Sequence, residues 1–200
     1  MGRKRKHRKK KSSERKLTVA LDWIEIALGD DGWGRGDPEP VLLLGLYALA
    51  DDGVSLVSRG LARPRVSSPY PNDADGDDRP IIETHPPKNI PLALLVLALE
   101  EDGGQDVREL YAKLEQPKFT LWGDDDTEPN PRGFSDWIAG PSGTFGVHVL
   151  HDQVDLAERC RSDEWIGATL IVGVSRGARH RVHVRSPDGD NDWTVELALR

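Results

Sequence analysis

The chain has 200 residues, 37% of them hydrophobic and 30% charged, with a formal net charge of −7. One domain with a polar tail fits that length, and no run approaches the roughly 18 apolar residues of a membrane span. The single Cys160 excludes an internal disulfide and the common zinc frameworks, and it suits a reducing compartment.

The charge divides into two opposite bodies. Residues 1 to 16 hold ten Lys or Arg against one Glu, which leaves 17 basic and 33 acidic side chains for residues 17 to 200. Apart from Met1 the first segment has no apolar residue, so it reads as a disordered basic tail. No apolar signal core follows, because "LTVALDWIEIAL" contains Asp22 and Glu25. Such a tail attracts phosphates, on nucleic acid or on anionic lipid heads, and matches nuclear targeting in organisms with a nucleus.

"LTVALDW" places apolar residues at 17, 19, 21 and 23, and "WIEIAL" places them at 24, 26 and 28. The change of phase predicts a strand with a bulge, while Leu21, Ile24 and Leu28 also fit a short helix. "DGWGRGDPEPVLLL", residues 31 to 44, reads as a tight Gly- and Pro-rich loop that ends where a strand begins. An acid stands at each end of that loop, Asp31 and Asp37. Acids there are ordinary turn residues or oxygen ligands held on a loop.

"VLLLGLYALA", "DDGVSLVSRGLARPRV" and "IPLALLVLALE" read as buried strands, with a hairpin turn at Asp52-Gly53. Residues 67 to 80 form an acidic loop. Residues 105 to 115 are the one substantial helix, with Val107, Leu110 and Leu114 on a single face. A long acidic connection occupies 123 to 143. "TFGVHVLH", "EWIGATLIVGV", "HRVHVR" and "DWTVELALR" close the chain as strands, with "SPDGDND" as the last turn. The pattern predicts an all-β fold for residues 17 to 200, an antiparallel β-sandwich with one short helix.

"GVSRG", residues 173 to 177, satisfies the G-x-S-x-G pattern of a nucleophile elbow. An elbow needs a helix after the turn, but "ARHRVHVR" alternates like a strand, so a hairpin turn explains Ser175 better. His148 and His151 fall on opposite sheet faces and do not converge on one metal. Arg181, His183 and Arg185 share a face and form a small basic patch. No enzyme is expected from these constellations.

Asp31-x-x-Gly34-x-x-Asp37-Pro38 entering "VLLL" resembles the first ion-binding loop of the C2 domain, the calcium- and lipid-binding module of synaptotagmins and protein kinase C. "VHVLHDQVDLAERCRSDEWIGATLIV" is similar to the family's strand, acidic loop and Asp-x-x-Ile-Gly re-entry, carried by Asp163, Ile166 and Gly167. The resemblance implies a C2-like sandwich in which Asp31, Asp37, Asp155 and Asp163 bind calcium. Position 157, acidic in the family, is Ala157, with Asp152 or Glu158 as substitutes. The aromatic that follows Asp-Pro is Glu39.

The implied function is a calcium-responsive module, cytoplasmic and membrane-peripheral, that engages an anionic phospholipid surface or a protein partner. Trp33 would insert at the head-group level. With one oxygen missing, calcium affinity would be on the order of 10⁻⁴ to 10⁻³ M. The alternative is a calcium-independent β-sandwich interaction module whose basic tail binds nucleic acid or an acidic partner.

Overall fold

The computed structural model describes residues 16–28, 39–66, 72–76, 79–124, 130–160 and 163–200. Asp31, Trp33, Asp37 and the basic residues before Lys16 lie outside the described residues. In chain order the first elements are β1 (Leu17–Leu28), β2 (Pro40–Ala50), β3 (Gly53–Ala62), β4 (Asn72–Asp75), β5 (Pro80–Thr84) and β6 (Leu92–Glu100). There follow α1 (Gln105–Lys113), β7 (Phe119–Gly123), β8 (Arg132–Gly133), α2 (Phe134–Ile138), β9 (Gly143–His151) and β10 (Val154–Asp155). The chain closes with α3 (Leu156–Arg159), β11 (Glu164–Val172), β12 (Arg179–Arg185) and β13 (Asp192–Leu199).

Among the described residues the strands form two antiparallel sheets that curl into a sandwich. The smaller, five-stranded sheet runs β12-β13-β1-β4, with β5 sharing the β4 side of β1. The larger, eight-stranded sheet runs β3-β2-β6-β11-β9-β7-β8, with β10 added to β9. The fold class is all-β, as the short runs and turn signals predict.

β1 is a single strand whose pairing to β13 slips between Leu21 and Trp23. Leu17, Val19 and Leu21 reach the core before the slip, and Ile24 and Ile26 after it. A bulge moves the side-chain phase by one residue, which is why the apolar period breaks there. Gly76 seals the bulge. Its N–H donates to the Asp22 carbonyl at 2.8 Å, and a Cβ on it would lie 1.7 Å from the Leu21 carbonyl oxygen.

The larger sheet is covered on both faces. Leu42, Leu44, Leu46, Leu94 and Val96 pack between the sheets. Val41, Leu43, Tyr47, Leu95, Leu97 and Leu99 pack on the other side, under α1, α2 and α3. Burial on both faces leaves no polar alternation, so β2 and β6 read as continuous apolar runs. β12 has one solvated face, and it alternates: Val182 and Val184 are buried while Arg181, His183 and Arg185 are exposed.

Four details differ from the sequence expectation. The acidic segment 67–80 contains β4, and the connection 123–143 contains β8 and α2. The first hairpin turn is Asp51-Asp52, with Gly53 (φ 119°) opening β3 opposite Ala50. The Gly173–Gly177 turn closes no hairpin, since β11 belongs to the larger sheet and β12 to the smaller. A strand follows Ser175, where an elbow requires a helix.

Candidate functional site

The register brings several chain segments to one end of the sandwich. Pro40 pairs with Glu100, and Glu100 pairs with Glu164, while the Glu101 N–H donates to the Glu39 carbonyl at 3.0 Å. The described flank of the first acidic loop therefore shares an end with Asp163. Asp31 and Asp37 themselves lie outside the described residues.

Asp163 is 4% exposed and serves α1. Its Oδ1 accepts the N–H groups of Gly103 (2.7 Å) and Gly104 (2.8 Å), and its Oδ2 accepts that of Val107 (3.0 Å). The residue at the N-cap of α1 is Gly104 (φ 69°), which has no side chain to cap with. Asp163 supplies the missing acceptor from another part of the chain, and its negative charge complements the positive helix end. The Asp163 N–H in turn donates to Asp106 Oδ2 at 3.0 Å, so the two ends are clasped reciprocally. No side chain close to α1 in sequence signals this role, because the acceptor lies 56 residues or more beyond the amides it binds.

Asp155 does the same on a smaller scale. It N-caps α3, accepting the Ala157 N–H at 2.9 Å, and its second oxygen lies 3.7 Å from His148 Nδ1. The His148 ring stacks on Trp122 (centroids 4.8 Å apart) and faces Asp124 at 3.3 Å through Nε2. Asp152 and Gln153, both at positive φ, form the turn between β9 and β10. Glu158 lies in the first turn of α3. Among the described residues no group of three or more His, Cys, Asp or Glu side chains is arranged to hold a metal ion.

His151 and His148 do point to opposite faces. His151 is buried, edge-on to Phe119, with Nδ1 3.0 Å from Asp152. Burial holds its pKa below the ordinary imidazole value. Asp152 opposes that shift, and Lys113 and Arg159 add to it. Burial also lowers His180. The unfolded imidazoles take up protons near pH 6.5, before the folded ones do. Stability therefore falls as pH drops from about 7.5 through 6.5, and levels off below the folded values. Urea unfolding should show a lower midpoint at pH 5.5 than at 7.5, and His151→Gln should shrink the difference. Burial first, then Asp106, Asp163 and Asp155, pushes the Cys160 thiol up to about 12, which disfavours the nucleophilic thiolate.

The cationic side chains of the smaller sheet collect on its β12 side. Arg176, Arg179 and Arg200 line a cleft of about 250 Å³. Arg179 and Arg200 both reach Asp22, at 3.0 and 2.8 Å, and Arg179 also pairs with Glu196. Along β12, Arg181 lies 5.6 Å over the Trp23 ring and His183 pairs with Asp192 at 2.6 Å. Thr18 and Arg200 exchange two backbone hydrogen bonds of 2.8 Å, so the chain enters the fold beside this cleft. Among the described residues no helix is long and apolar enough to cross a membrane. No family model, curated protein or solved structure matches this chain, and the C2 resemblance rests on its two short motifs.

Proposed function

We propose that this chain is a calcium-independent β-sandwich binding module that engages the phosphate backbone of nucleic acid. The observation that carries the reading is the set of cations on the β12 side of the smaller sheet. Arg176, Arg179 and Arg200 line a cleft there, and Arg181, His183 and Arg185 stand on the exposed face of β12. Arg200 exchanges backbone hydrogen bonds with Thr18, two residues after the last of the ten cations in residues 1 to 16. Guanidinium and ammonium groups neutralise phosphates and release counterions. The use of Asp163 and Asp155 as helix caps favours the calcium-independent form over the C2-like one, because their oxygens already hold backbone donors.

The test is anisotropy of a labelled mixed-sequence oligonucleotide across a salt series. Binding should weaken steeply with salt, and Arg176→Glu/Arg181→Glu/Arg185→Glu should weaken it by about tenfold or more at low salt. Millimolar calcium should leave the melting temperature unchanged. Oligonucleotide binding indifferent to the triple variant would overturn the proposal. So would calcium-dependent capture on anionic vesicles, which belongs to the C2-like reading.

A further inference from the structure

Among the described residues the smaller sheet ends in β12 on one side and in β4 on the other, and these two edges carry opposite charge. We infer that copies of this chain associate head to tail through them, β4 of one copy pairing antiparallel with β12 of the next. β12 presents Arg179, Arg181 and Arg185 on its outer face, with His183 between them. β4 presents Asp73 and Asp75. Arg181 and Asp75 form no ion pair among the described residues. Like charges oppose pairing of β12 with β12 or of β4 with β4, whereas opposite charges favour β12 with β4.

The backbone of both strands is set for this pairing. The Leu199 N–H donates to the Ala178 carbonyl at 2.9 Å, and the Ser186 N–H donates to the Asn191 carbonyl at 3.0 Å. Bonded positions alternate along an antiparallel ladder, so the backbone groups of Arg179, Arg181 and His183 turn away from β13. At Arg185 the edge is closed by β11, since a Cβ on Gly167 would lie 3.5 Å from the Arg185 carbonyl oxygen. By the same alternation, the Gly76 N–H bond to the Asp22 carbonyl directs Asp73 and Asp75 away from β1. The Asp73 N–H is held by Asn72 Oδ1 at 2.8 Å, a bond that pairing exchanges for a β12 carbonyl. On each edge the outward-bonding residues thus carry exposed polar side chains, while Val182 and Ala74 pack on the core.

The register supplies the match with no shift along the strands. Arg181 pairs with Glu196, Glu196 with Trp23 and Trp23 with Asp75, and His183, Thr194, Glu25 and Asp73 form the corresponding row two positions on. Four strands, each antiparallel to its neighbour, leave β4 running opposite to β12. A copy displaced sideways by one sheet width therefore sets its Asp75 opposite Arg181 and its Asp73 opposite His183. The larger sheet leaves room for it. Tyr47 on β2 and Phe119 on β7 have three strands between them yet meet edge-on at 6.4 Å, so that sheet curls away from the smaller one. Each contact leaves a free edge at either end, so the row stays open and does not close as a pair.

An edge contact this short belongs with small, transient interfaces, and association is expected from about 10⁻⁴ M upward. The experiment is sedimentation equilibrium of the full chain, free of nucleic acid, at low salt and about 10⁻⁵ to 10⁻³ M protein. The mean mass should rise past that of a dimer without a plateau, and added salt should lower it. Asp75→Lys and Arg181→Glu, both at exposed positions, should each remain monomeric. Their equimolar mixture should associate again, because every edge then meets its complement. Asp75→Asn should weaken association by about twofold to fivefold, which keeps the test decisive should a charge reversal fail to fold. Association of any of these variants alone at the wild-type level overturns the inference, and is what the basic N-terminal run would produce by holding the acidic domain of another copy. A wild-type chain that stays monomeric or stops at a dimer overturns it too, as does a mixture that stays monomeric.

Discussion

Asp163→Ala is expected to lower the unfolding free energy by about 3 kcal/mol, equally with calcium and with chelator. The substitution removes one carboxylate and strands three amide donors, those of Gly103, Gly104 and Val107. The Val107 donor, left unpaired in a buried place, costs more than its bond contributed net, and α1 also loses the anion at its positive end. Asp163→Asn keeps the shape and one acceptor oxygen, so about half of that loss is expected. Urea unfolding in the two conditions decides the role of the residue. A loss seen only with calcium present would make Asp163 an ion ligand and not a cap.

The second large effect is at the other end of α1. Tyr47→Ala should cost about 4 kcal/mol, and Tyr47→Phe about 1. The Tyr47 ring is fully buried, edge-on to Phe134 (4.8 Å between centroids) and Phe119 (6.4 Å). Its hydroxyl donates to the Leu114 carbonyl at 2.9 Å, and burial raises its pKa, so it stays a donor at any working pH. Truncation to Ala opens a cavity, whereas Phe removes only the bond to the end of the helix. Gly45 explains itself here: a Cβ at that position would lie 2.6 Å from the Tyr47 ring. Nearby, Arg59 donates to the Tyr111 carbonyl and pairs with Glu115, a cation at the negative helix end. Denaturation of the two Tyr47 variants side by side separates packing from hydrogen bonding; equal losses would mean that the ring contributes nothing beyond its hydroxyl.

What the sequence made legible follows from how far each cause reaches along the chain. The bulge in β1 appears as a phase change within twelve residues, because its cause is local. The strands of the larger sheet appear as apolar runs, because burial on both faces acts on every residue. β4 does not appear: "NDAD" has no apolar alternation, and it pairs only because β1 offers it an open edge. α2 and α3, of five and four residues, are too short to show a period. Asp163 was legible as an acid before a strand, yet its task depends on amides brought to it by the fold.

β1 lies between β13 on one side and β4 and β5 on the other, and its residue Thr18 exchanges hydrogen bonds with Arg200. The first strand of the fold thus waits for the last. During synthesis, some 160 residues emerge before the β13 partner of β1 exists, so the smaller sheet closes only at the end. Contacts of such sequence separation are slow to form, and the open flank of β1 is exposed meanwhile. A ribosome-stalled chain ending before Asp192 should therefore remain protease-sensitive throughout the smaller sheet, however complete the leucine-rich strands of the larger one have become.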